Sequence, residues 1–283
     1  MIRLCAFADE ASESLEGQIA ALKRNGISFI ELRSVSGINV KDFTDEQANM
    51  YAEKLAKNGI KVWAIGSPLG KADINVNFCK YENTVRRVCE IARIFRCDKI
   101  RIFSFFNAYN NKQKVFKNLS EMVKIAKEYN VKLYHENEKE VYGDIANRVL
   151  ELKQNVEGLN FVFDPANFVQ VGENIDIALN NLFEGTSYFH IKDVIKATDE
   201  LVPAGEGDAE IGKILSEIKD DKVLTLEPHL ALFAGYSSID RTEMKNKYHF
   251  KSNDESFDFA ANSLQKLLKK QGFIKEKEGF IKK

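Results

Sequence analysis

The chain carries no excess of positive charge: 41 Lys and Arg stand against 42 Asp and Glu, a formal net charge of -1 over 283 residues. A general nucleic-acid binder needs a basic face to neutralise phosphates, and this balance excludes one. Cysteine is scarce, with only Cys5, Cys79, Cys89 and Cys97, and no two of them form a C-x-x-C pair. Structural zinc and dithiol exchange are therefore excluded, and the four thiols read as small hydrophobes or surface groups. The opening run Ile2 to Phe7 leads straight into Asp9 and Glu10, with no basic segment and long apolar core before a cleavage site. This predicts a cytoplasmic protein with reduced thiols and no membrane partner. Glycine-rich phosphate signatures are missing as well. The turn after the first strand reads Ala8-Asp9-Glu10-Ala11 instead of G-x-G-x-x-G, and no complete G-x-x-x-x-G-K-[ST] occurs. An open dinucleotide-binding sheet loses its main support.

Against these absences, 44% hydrophobic and 29% charged residues are the mixture of a soluble globule. Short β-branched or aromatic runs alternate with amphipathic stretches, and the returns share punctuation, as in Asn25-Gly26-Ile27 and Asn58-Gly59-Ile60. Glycine there supplies a left-handed helix cap. Phe78, Tyr81, Val85, Val88, Ala92 and Phe95 recur at three- and four-residue spacing, one helical stripe, and Thr44 with Gln47 forms a capping-box pattern for a helix to about Lys57. Strands are predicted at Ile2 to Phe7, Phe29 to Arg33, Val62 to Gly66, Ile100 to Phe105, Val131 to Glu136, Asn160 to Asp164, Tyr188 to Ile191 and Val223 to Glu227. Eight β/α units predict a single (β/α)8 TIM barrel over residues 1–283, a size such barrels commonly reach. Two segments depart from the repeat, 194–210 and 231–257. Both follow late strands and are expected as loops over the active face. The lysine-rich end, 275–283, is expected to fray.

In such barrels the working groups stand at the carboxyl ends of the strands. The last four predicted strands end in His135-Glu136-Asn137, Phe163-Asp164-Pro165, His190-Ile191-Lys192-Asp193 and Leu226-Glu227-Pro228. Alternation places Glu227 on one face with Thr225 and Val223, and Leu224 and Leu226 on the other. Glu136, Asp164, His190 and Glu227 thus converge on one opening. Three carboxylates there resist joint ionisation unless a cation lies among them, which predicts one divalent ion, Mn, Mg, Co or Zn.

With Ala6-Phe7-Ala8-Asp9-Glu10, Glu136-Asn137, Asp164-Pro165-Ala166-Asn167, His190-Ile191-Lys192-Asp193, Pro203-Ala204-Gly205-Glu206-Gly207 and Glu227-Pro228-His229 in place, the chain resembles the xylose isomerase-like (sugar phosphate isomerase/epimerase) barrel superfamily over nearly its whole length. The resemblance implies a mononuclear metal held by Glu136, Asp164, His190 and Glu227, and a small carbohydrate substrate. The expected reaction is isomerisation or epimerisation by proton abstraction next to a carbonyl, through an enediolate stabilised by the metal, with Glu136 and Glu227 as acid/base groups. Related chemistry gives two alternatives: a lyase acting like inosose dehydratase or a 3-keto-glycoside eliminase, and a sugar-binding barrel without turnover. Similar ketose 3-epimerases carry histidine three residues after the metal Asp and arginine six after the metal His; here Asn167 and Lys196 stand there. The endonuclease branch needs many histidines, and this chain has four, His135, His190, His229 and His249. Asn167, Lys192, Asp193, Glu206 and His229 are the expected substrate contacts, with Lys192, Asp193 and Glu206 also candidates to orient His190. His135, on the opposite strand face, reads as a packed side chain, and so do Trp63 and Phe7. Aromatics in 231–257 suggest a lid or a partner surface, and a homo-oligomer is expected.

Overall fold

The computed structural model describes residues 1–233, 236 and 243–283. Eight parallel strands close into a barrel: β1 (Ile2–Ala6), β2 (Phe29–Leu32), β3 (Lys61–Gly66), β4 (Lys99–Ile102), β5 (Lys132–Glu136), β6 (Asn160–Phe163), β7 (Thr186–Ile191) and β8 (Lys222–Leu226). Each pairs with its neighbour, and closure comes from β1 on β8, in register from Ile2 opposite Lys222 to Ala6 opposite Leu226. The pairing of β2 with β3 slips between Ile30 and Glu31, a bulge that bends the strand just before an inward carboxylate.

Period-two alternation separates two cores. Outward residues such as Leu4, Ile30, Ile100, Leu133, Phe161 and Leu224 pack beneath the helices. Inward, Cys5, Ala64, Tyr134, Val162, Tyr188 and Val223 fill the lower barrel with Phe29 and Trp63, so the interior is packed. Two predicted packing residues, Trp63 and Phe7, lie in this interior.

The helices follow the sequence pattern closely. The helix Asp45–Lys57 begins with the predicted capping box, Gln47 N donating to Thr44 Oγ1 at 3.2 Å and Thr44 N to Gln47 Oε1 at 2.9 Å. Gly59, at φ +73°, closes it. The helix Phe78–Ile94 buries Val85, Val88 and Ala92 along the expected stripe. No helix among the described residues is long and apolar enough to cross a membrane.

Three expectations are corrected. Residues 275–283 do not fray: Phe273–Glu276 and Gly279–Lys282 form an antiparallel hairpin, and Phe280 is buried opposite Ile2 beneath the barrel. The lysines mark its wet face, while Phe273 and Phe280 anchor it. The segment 194–210 contains a two-stranded ribbon, Asp193–Ile195 against Glu200–Val202. The segment 231–257 ends early, because a helix runs over Asn253–Lys270, capped by Ser252 Oγ accepting from Glu255 N at 3.2 Å. Within it, residues 234, 235 and 237–242 lie outside the described residues.

Candidate active site

Four strand ends deliver the predicted cluster. Glu136 ends β5, Asp164 follows β6, His190 lies near the end of β7 and Glu227 follows β8; one donor atom from each lies within 4.8 Å of the others, and all four are buried. His190 Nδ1 is the focus, 2.9 Å from Glu136 Oε1 and 3.1 Å from Glu227 Oε2. Asp164 caps the helix Pro165–Gln170, its Oδ1 accepting from Asn167 N at 3.0 Å. That leaves Asp164 Oδ2, 3.1 Å from Lys192 Nζ but without an aligned hydrogen bond. Glu227 Oε2 is likewise without one.

The electrostatics follow from burial. Burial pushes the Asp164 carboxyl up to about 6, against the pull of Lys192. For Glu227 burial acts in the same sense, but the imidazoles of His190 and His229, 3.1 and 3.4 Å from its oxygens, outweigh it and hold the acid well below the usual range. Burial disfavours the His190 cation, yet Glu136 and Glu31 raise its pKa well above the ordinary imidazole value. Two buried carboxylate oxygens without aligned donors, facing an imidazole nitrogen, are the donor set of an open N/O site for a divalent ion, so the residues fit the expected metal.

Several contributors went unpredicted. Arg33, just past β2, donates from Nε and Nη2 to both oxygens of Asp9 at 2.9 Å, from Nη2 to Glu10 Oε1 at 3.3 Å and from Nη1 to Glu227 Oε1 at 3.0 Å. Its guanidinium lies 4.3 Å from the Phe7 ring centroid and 4.9 Å from that of Phe233. On the far side Arg101, on β4, places Nε 3.2 Å from Glu136 Oε2. Each catalytic candidate is thus flanked by one arginine at its outer oxygen, and the inner oxygens face His190. The bare signal was available: Arg33 and Arg101 lie at or next to the carboxyl ends of early strands, where the rim rule applies equally. Beside them a shallow cleft is lined by Arg33, Ser67, Lys71, Arg101 and Phe103. Lys71 Nζ donates to Glu138 Oε2 at 2.9 Å on this wall.

The expected substrate contacts divide. Lys192 Nζ donates to Asn167 Oδ1 at 2.7 Å, and Asn167 Nδ2 to the Asn137 carbonyl at 2.9 Å, so both stand beside Asp164. His229 Nε2 lies 3.4 Å from Glu227 Oε1 and 3.3 Å from Glu10 Oε1. Its backbone takes φ +46°, costly outside glycine, and is held by its N–H to Glu10 Oε2 at 2.8 Å. Two expectations are corrected. The Asp193 carboxylate neither reaches substrate space nor orients His190, because it accepts from the backbone N–H groups of Val194, Gly205, Gly207 and Ala209 at 2.8 to 3.1 Å and so folds the loop behind it. Glu206 is exposed and accepts from the Tyr248 hydroxyl, away from the cluster. Lys196 is exposed too. His135 packs as expected, buried with Nε2 3.0 Å from Ser104 Oγ, and burial pulls its pKa down to about 3.

These features define a (β/α)8 barrel with a buried carboxylate and imidazole cluster at the carboxyl ends of its strands. A family model described as the xylose isomerase-like TIM barrel matches residues 19–245, well over half of the chain. The chain belongs to that family. No curated protein matches it by sequence. Solved structures with the same fold include the probable 3-DHS dehydratase AsbF involved in petrobactin synthesis from Bacillus anthracis, at 17% identity and TM-score 0.72, covering 94% of this chain and 99% of that one. The IolI protein with a bound zinc atom is similar at 17% identity and TM-score 0.73, covering 95% and 99%. An L-ribulose 3-epimerase is similar at 15% identity and TM-score 0.72, covering 95% of each chain.

Proposed function

We propose that this protein is a divalent-metal-dependent sugar isomerase or epimerase that moves a proton on carbon next to a carbonyl. The observation that carries this reading is the pair Glu136 and Glu227: they approach one imidazole nitrogen, at 2.9 and 3.1 Å, from β5 and β8, which lie on either side of β7 in the barrel. Glu136, Asp164, His190 and Glu227 would hold the metal, whose positive charge would stabilise the negative charge that develops on adjacent substrate oxygens.

The remaining steps belong to side chains. One glutamate takes the proton from the carbon beside the carbonyl, and the other delivers a proton to the opposite face, which inverts that carbon. If one glutamate takes and returns the proton on a single face, shifted to the neighbouring carbon, the outcome is an aldose-ketose interchange. Arg33 donates to the outer oxygen of Glu227 and Arg101 pairs by charge with that of Glu136, which leaves the inner oxygens toward His190. Lys192, kept protonated because Asp164 and Glu227 outweigh its burial, donates to a substrate hydroxyl together with Asn167 and His229. We also place the protein in the cytoplasm, in keeping with four free cysteines, of which Cys79 is exposed.

Elimination of a β-hydroxyl shares the first proton abstraction, and the fold likeness to a probable dehydratase supports it as a second reading. One experiment separates the possibilities. The metal-loaded protein is incubated with a panel of keto-sugars and keto-cyclitols in heavy water and the products are read by NMR. Deuterium at the carbon next to the carbonyl with the carbon skeleton intact supports isomerisation or epimerisation, while loss of water supports the lyase. Absence of exchange across the panel leaves a sugar-binding barrel. Glu136→Gln and Glu227→Gln should each lower exchange by roughly 10²- to 10⁴-fold with the fold retained. Full activity in both sinks the assignment.

A further inference from the structure

Glu31 takes no part in the reading above, although its carboxylate is among the most deeply buried charges of the protein, on β2 directly after the bulge with β3. Its Oε2 lies 3.1 Å from His190 Nε2 and accepts from Thr225 Oγ1 at 3.0 Å, while Oε1 accepts from the Tyr188 hydroxyl at 3.1 Å. Arg101 Nε, 3.9 Å from Oε1, is closer to Glu136, so Glu31 has a distant share of that cation. Its position below His190, over the aromatic layer, keeps it from substrate. A carboxylate costs several kcal/mol to bury, and an apolar side chain would fill this space at no such cost. The imidazole is what the charge acts on.

We propose that Glu31 is a positioning residue for the metal: it accepts the Nε2–H of His190 and thereby fixes the tautomer and ring direction in which Nδ1 presents its lone pair to the site formed with Glu136, Asp164 and Glu227. This rests on the metal-centre reading and deepens it. The two nitrogens of the ring are used for different purposes. Nδ1 faces Glu136 and Glu227, and Nε2 faces Glu31. A neutral imidazole ligating through Nδ1 must carry its proton on Nε2, and a carboxylate acceptor there holds that proton and raises the basicity of the ligating nitrogen. Phe7, edge-on to the ring at 5.2 Å between centroids, and Tyr188 at 5.6 Å complete the clamp. Thr225 and Tyr188 act one step further out, since their hydroxyls direct the two oxygens of Glu31.

The test uses the full chain stripped of metal and titrated with zinc by calorimetry, alongside thermal melts of the metal-free protein. Glu31→Gln should weaken zinc binding by about 10- to 100-fold, the range for outer-sphere partners of metal-binding histidines, beyond any change in the stability of the metal-free protein. Tyr188→Phe keeps the charge and the contact to His190, and should weaken binding only a few-fold. In the zinc-loaded wild type, nitrogen NMR of His190 should show a protonated Nε2, which needs no variant to fold. Wild-type zinc affinity in Glu31→Gln, or a His190 Nε2 without its proton, overturns the inference and leaves the metal centre standing. A loss of affinity that only tracks a loss of metal-free stability also overturns it. Wild-type protein that takes up no zinc overturns both.

Discussion

Replacing Arg33 by methionine keeps most of the side chain's length and removes its charge, in a place where three carboxylates depend on it. The guanidinium makes four hydrogen bonds of 2.9 to 3.3 Å, two to Asp9, one to Glu10 and one to Glu227, and none of these groups has more than a few per cent of its surface exposed. Some help remains: Ser34 donates to Asp9 at 2.8 Å, and His229 N donates to Glu10 at 2.8 Å. Removing one partner from a buried ionic group costs roughly 3 to 5 kcal/mol, because the other charges stay buried without compensation. At roughly 2 °C per kcal/mol for a chain of this length, the melting temperature of Arg33→Met should fall by about 6 to 10 °C at neutral pH. The sign of the pH dependence is fixed by Glu10, whose pKa burial already raises. Without the arginine it rises further, and a carboxyl raised in the folded state favours folding at low pH and loses that contribution as pH rises through its folded value. The deficit should therefore be larger at pH 8 than at pH 5. Thermal and urea unfolding of the metal-free pair at both values measure it. A variant within 2 °C of wild type at pH 8, or a deficit that grows as pH falls, refutes the reasoning.

Other outcomes follow from the same geometry. Asp193→Ala should leave zinc affinity within a factor of about three, because the carboxylate bonds only to loop amides, while hydrogen exchange of Gly205, Gly207 and Ala209 accelerates by more than tenfold; weakened zinc binding with an unchanged loop would restore a role at the site. Metal affinity should fall steeply on acidification below about pH 6, where Asp164 gains a proton and ceases to donate, and the proton on His190, held above the ordinary imidazole range, should compete with the metal at neutral pH. Proton release measured during zinc titration at pH 7, in buffers of different ionisation heat, checks the second part; a release of zero contradicts it.

The parts of the site that were legible in the sequence share one property: a polar residue in line with a strand end, with apolar residues alternating behind it. Asp164 after Phe161-Val162-Phe163 and Glu227 after Leu224-Thr225-Leu226 carry their own direction, since a strand's period of two settles which face each side chain takes. Glu31 and Arg101 obey the same rule on β2 and β4, but sit among residues that read equally well as ordinary strand positions. Only their partners across the barrel, His190 and Glu136, distinguish them. Asp193 misled because the backbone reverses beyond His190, turning the carboxylate toward the amides of a loop twelve to sixteen residues further on. The C-terminal hairpin misled for a compositional reason. Its lysines outnumber its anchors, yet Phe273 and Phe280 are enough to dock it against β1.

The central claim is that the last four strands of this barrel present one metal centre. Anomalous diffraction from crystals soaked in manganese tests it most directly. The account predicts a single strong peak in contact with Glu136, Asp164, His190 Nδ1 and Glu227. A peak elsewhere, or full manganese occupancy with His190 turned away from it, contradicts the account.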